Sequence, residues 1–74
     1  METYVDVYIS ADGEKASQIF NKLSQMELKY YIGEHDFVYD WKGIVTIDDE
    51  LKLVDKIQSK LKGTGAFLKF TTIR

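Results

Sequence analysis

Glu34, His35, Asp36 and Asp40 form the one cluster of metal-ligand side-chain types in this 74-residue chain. Carboxylates so spaced suit a hard cation that takes several oxygens, whereas zinc prefers more imidazole or thiolate. The chain has one His and no Cys, which excludes thiolate zinc sites and disulfide scaffolds. Neighbouring strand residues point to opposite faces, so only roughly two or three of the four side chains can converge without a special turn. A hydrated turn is the plainer reading, and no metal or other cofactor is expected.

Asp48, Asp49 and Glu50 make a second acidic run. Paired carboxylates do acid–base work only where a pocket separates their pKa values. Nothing in this spacing supplies one, and acidic residues commonly open helices. Asp12-Gly13 could present free helix amides to an anion, but such a pair is first of all a turn and cap. Lys52, Lys56, Lys60 and Lys62 form a basic row, and with strand aromatics they offer a nucleic-acid alternative. Against it stand the net charge of −2 and a last strand, around Lys69-Phe70-Thr71, without the basic-aromatic signature of RNA-recognition modules. No nucleophile triad is in view, so the chain reads as a non-enzyme.

These residues need elements to hold them. Residues 3–9 alternate, with Val5, Val7 and Ile9 on one side and Tyr4, Asp6 and Tyr8 on the other, which predicts a strand with one buried face. Asp12 and Glu14 then suit a helix start, and Ala16, Ile19, Phe20, Leu23 and Met26 form an apolar stripe. A second strand is expected over 28–32 and β-branched or aromatic composition over 37–47. Either Gly33–Asp36 or Asp40–Gly43 turns the central hairpin; the first is preferred, with Gly43 then at a bulge. A second helix follows, with Val54, Ile57 and Leu61 inward, helped by Leu51 or Leu53. Gly63-Thr64-Gly65 stops it. Residues 66–74 form the last strand, Phe67, Lys69, Thr71 and Ile73 alternating against Leu68, Phe70 and Thr72.

The order β-α-β-β-α-β over a single domain, residues 1–74, predicts an α+β fold. It is the ferredoxin-like sandwich, a four-stranded antiparallel sheet with two helices on one face. The other face is then bare. Tyr4, Tyr8, Tyr31, Phe67 and Ile73 are expected there as a dimer interface, because exposed aromatic patches mark interaction sites and small domains lack core. Charge is also uneven. Residues 1–50 hold eleven acids and four lysines, whereas 51–74 hold one acid, five lysines and Arg74.

The alternation Tyr4-Val5-x-Val7-x-Ile9, the amphipathic helix ending Leu23-Ser24-Gln25-Met26, and Gly33-Glu34-His35-Asp36-Phe37-Val38 resemble the effector-binding (RAM) domain of the Lrp/AsnC family. His35 stands where that family has an aromatic residue. The resemblance implies a homodimer or higher homo-oligomer paired through its sheets. It also implies an amino-acid-like small-molecule effector near Gly33, His35 and Asp36. ACT regulatory domains share the element order and are similar at Asp12-Gly13, although they place Pro before the Gly. The expected role is therefore a cytoplasmic regulatory module without membrane contact. No apolar run approaches the roughly 20 residues of a span, and Met1–Asp6 lacks the basic and apolar regions of a signal peptide.

Overall fold

The first strand, β1 (Glu2–Tyr8), follows from its alternation: Thr3, Val5 and Val7 turn to the core and Glu2, Tyr4, Asp6 and Tyr8 to the other side. The computed structural model describes residues 1–73, so Arg74 at the end of the expected last strand lies outside the described residues. Ile9, expected inward, falls beyond the end of β1 and is exposed, because the chain has already left the sheet for the turn that begins at Ser10.

The first helix, α1 (Ala16–Ser24), buries Ile19 and Leu23, while Phe20 and Met26 pack half-buried beside them and Ala16 is exposed. Asp12 does not cap it. The N-cap position falls to Lys15, with no side-chain bond, because the preceding amides are taken elsewhere. Gly13 N–H donates to the Ser10 carbonyl and Glu14 N–H to the Thr64 carbonyl, at 3.1 and 2.9 Å. Glu14 instead pairs with Lys22, Nζ to Oε1 2.9 Å, in the helix's last turn.

The second strand is shorter than expected: β2 is Lys29–Tyr30 alone, and β3 is Phe37–Asp40. Their hairpin turns across 31–36, the preferred alternative. The first residues of the expected 37–47 strand hold, but the rest do not. Trp41 N–H donates to the Met1 carbonyl, and the Asp40 carboxylate accepts from Lys42 N–H at 2.9 Å. Lys42 takes a left-handed φ of 57°. The chain thus bends again at Asp40–Gly43, with no long strand and no bulge, and 44–46 lead into helix.

That helix, α2 (Ile47–Leu61), begins at a residue expected in a strand. Thr46 and Asp49 close a capping box: Thr46 Oγ1 accepts from Asp49 N–H at 3.2 Å and the Asp49 carboxylate accepts from Thr46 N–H at 3.1 Å. The bond from the Thr46 backbone, then that from its hydroxyl, holds the Asp49 carboxyl below its ordinary range. A depressed folded pKa stabilises the fold above the unfolded value, about 3.9, and that contribution is lost as pH falls through the folded one. Thr46→Ala is expected to cost about 1 kcal/mol in urea unfolding at neutral pH. Asp49→Asn should flatten the acid limb of the stability curve, and an unchanged limb would show the box to be idle. The helix buries Leu53, Ile57 and Leu61, so Leu53 rather than Leu51 completes the stripe, and Val54 is only half-buried. Gly63, at φ 84°, ends it in the left-handed region that favours glycine.

The last strand, β4 (Phe67–Ile73), pairs along the whole of β1. Sheet order is β2-β3-β1-β4 with every pairing antiparallel. The result is the α+β ferredoxin-like sandwich. Its core is Val5, Ile19, Leu23, Leu28, Phe37, Leu53, Ile57 and Leu61, between the sheet and the two helices. Among the described residues, no helix is long and apolar enough to cross a membrane.

Candidate functional site

Strand register decides which side chains share the helix-free face. Opposite residues on paired strands lie on one face, so Tyr4 sits between Val38 and Thr71, Asp6 beside Lys69, Tyr8 beside Phe67, and Glu2 between Asp40 and Ile73. Four of the five residues expected at an interface thus lie on this face by register, and Tyr31 reaches it from the hairpin turn. Their exposure differs. Tyr8, Phe67 and Ile73 are 57%, 64% and 54% exposed and Tyr31 is 39% exposed, but Tyr4 is only 9% exposed.

Tyr4 is covered from within its own chain. The Tyr31 ring meets it edge-on at 5.1 Å and 70°, and the His35 ring stacks on it at 4.6 Å and 24°. Burial, then the nearby Glu2 charge and Tyr31, push the Tyr4 hydroxyl above its usual pKa. Tyr8 and Phe67 form a separate pair, centroids 6.3 Å apart, toward the other end of the face.

The 31–36 turn is held over this face by carboxylates. Asp36 N–H donates to the Val5 carbonyl at 3.2 Å, and the Asp36 carboxylate accepts from Val7 N–H at 2.8 Å. The side chain thus takes over where the β3 ladder on β1 ends, which lets the chain leave the sheet at Phe37 without orphaning an amide. His35 Nδ1 lies 3.1 and 3.2 Å from the two Asp6 carboxylate oxygens. A Cβ at Gly33 would lie 2.8 Å from the Tyr31 ring, so that ring would have to shift to admit one.

Gly33, His35 and Asp36 share the 31–36 turn, but His35 Nδ1 and the Asp36 carboxylate are engaged inside the chain. Glu34 is exposed and Asp40 binds Lys42 N–H, so the four residues of the acidic cluster do not converge. Among the described residues, no group of three or more His, Asp or Glu could hold a metal ion. Asp6 is the member that sequence reasoning missed. Its signal was the alternation that puts it on the side of Tyr4 and Tyr8, yet its partner, twenty-nine positions away, has no local trace.

Lys52, Lys56 and Lys60 flank a groove floored by Met26, Tyr39 and Leu53, between α2 and the end of α1. Lys62 lies in a different groove, beside β4. The lysine row is therefore divided, and it belongs to the helical layer while the aromatic patch is on the opposite side of the sheet. No protein-family model matches the chain, and no curated protein or solved structure is significantly similar to it.

Proposed function

We propose that the chain is a non-catalytic interaction module that pairs with a second copy through the helix-free face of its sheet. The observation that carries this is the exposure, by more than half, of Tyr8, Phe67 and Ile73 on one strand-built surface. A domain of this size buries only about 60% of its unfolded surface alone, so pairing adds core that the single chain lacks. The face is suited to a copy of itself, because apolar rings alternate with both signs of charge, Glu2 and Asp6 against Lys69.

Sedimentation equilibrium of the wild type and Tyr8→Glu tests the reading. A charge placed unpaired in an interface costs about 2 kcal/mol or more, so the variant's dimer constant should weaken by at least about thirtyfold with the fold intact. A wild type that stays monomeric at every concentration, or a variant with the wild-type profile, would sink it. The finer form of the proposal adds an amino-acid-like effector at the rim of the paired faces, supported by the meeting of Tyr31, His35 and Asp36 in the 31–36 turn. Such a ligand shifts the assembly only by its differential affinity for monomer and dimer. Repeating the runs with a panel of free amino acids checks it: a shift with one of them supports the effector, and none with any removes it.

A further inference from the structure

The helical side of β4 carries a second unfilled surface. β4 is an edge strand, paired to β1 on one side and to nothing among the described residues on the other. Half of its backbone donors and acceptors therefore face outward. Natural edges are usually blunted by proline, bulges, short length or several charges. This one runs seven residues, Phe67–Ile73, in unbroken register with β1, with no proline and Lys69 as its one charge.

Beside that edge, α2 and β4 wall a groove of about 1020 Å³, lined by Gln58, Leu61, Lys62, Ala66, Leu68 and Phe70 among others. Leu68 and Phe70 are only half-buried although they face the helical layer. The helix wall continues toward its start, because Leu51 and Val54 lie on the Gln58–Leu61 flank at helical spacing. Leu51 is 53% exposed there. An apolar trough alongside a free strand edge is the geometry that accepts an extended peptide as an added strand, main chain to main chain, with alternate side chains in the trough.

Charge selects the occupant. From Lys56 to the end of the chain there are four lysines and Arg74 and no acidic residue. Neither Lys62 nor Lys69 makes an ion pair among the described residues. In an antiparallel pair of two β4 edges no acidic residue of β4 offsets the two Lys69 charges, so self-pairing here is disfavoured.

We propose that the β4–α2 groove binds an extended segment of another protein in which apolar residues alternate with acidic ones. Its apolar side chains enter the trough beside Leu68 and Phe70, and its carboxylates reach Lys69 on the opposite face and Lys62 at the rim. The trough lies on the helical side of the sheet and the proposed contacts share only Lys69 with the Tyr8 face, so the proposal does not require pairing through that face.

The test uses a fluorescein-labelled heptapeptide, Glu-Val-Glu-Leu-Glu-Val-Glu, with the whole 74-residue chain, read by anisotropy and by amide shifts of the isotope-labelled protein. Saturable binding is expected, with shifts centred on residues 61–73. Lys62→Glu with Lys69→Glu should weaken it at least about tenfold, whereas Lys52→Glu, on the other flank of α2, should not. The same peptide N-methylated at alternate amides keeps its charge but cannot complete a ladder, and should lose binding. Tyr8→Glu should bind as the wild type does, whatever its assembly state. Absence of binding, equal binding of the N-methylated peptide, or shifts centred on Lys52, Lys56 and Lys60 would overturn the proposal. So would sedimentation of Tyr8→Glu as a dimer that Lys69→Glu dissociates, because the edge would then be covered by a second copy.

Discussion

Phe37→Ala is expected to lower the stability of the domain by about 3–5 kcal/mol, the range for emptying a fully buried aromatic site. Phe37 has no exposed surface, stands opposite Val5 across the β1–β3 pair, and holds its ring 5.2 Å from Phe20 and 5.0 Å from Tyr30. It thereby joins the centre of the sheet to α1 and to the short edge strand β2. Strand β2 has only two residues, so contacts of this kind rather than ladder bonds hold it in place. Domains are stable by only about 5–15 kcal/mol, so a large fraction of the variant unfolds at moderate urea. Phe37→Leu keeps most of the volume and should cost under about 1.5 kcal/mol. Urea titrations followed by circular dichroism measure both. A loss below about 1.5 kcal/mol for the alanine variant would place the centre of the core elsewhere.

Gly13→Ala should be destabilising by about 1–3 kcal/mol, the cost of forcing extra volume into a packed site. The usual sign is the reverse, since Gly→Ala at an unstrained position adds about 0.4–1 kcal/mol by restricting the unfolded chain. Here the new Cβ would overlap the Thr64 carbonyl oxygen, and Gly65 Cα lies 3.4 Å away. Both are backbone and cannot swing aside. Thr64 is itself fixed, 1% exposed, with its hydroxyl donating to the Leu61 carbonyl at 2.7 Å and accepting from Ala66 N–H at 3.2 Å. Relieving the overlap therefore stretches the Glu14–Thr64 bond that ties the β1–α1 connection to the α2–β4 connection. Asp12→Ala next door is exposed and should stay within about 0.5 kcal/mol of the wild type. A thermal melt of Gly13→Ala at or above the wild-type midpoint would refute the close-packing role.

The order of elements, the two helical stripes and the inward set Val5, Ile19, Leu23, Ile57 and Leu61 could be read from the chain alone. Each rests on a periodicity of two or of 3.6 residues that is written within a single element. The same alternation groups Tyr4 with Tyr8 and Phe67 with Ile73, whereas the β1–β4 register sets the two groups on one face. What it could not supply were the places where distant segments meet. The Trp41 N–H carries the β3–β1 pairing on to the Met1 carbonyl before the chain turns at Asp40–Gly43. Tyr4 is covered because the 31–36 turn folds back under the hold of Asp36 on Val7 and His35 on Asp6. Asp12 caps nothing because Thr64 takes the neighbouring amide, and Gly13 is glycine because that carbonyl lies against it. Such contacts join residues tens of positions apart. A pattern within one element is set by local geometry and so is legible in sequence; the meeting of two elements depends on how both are packed, and only the tertiary structure decides it.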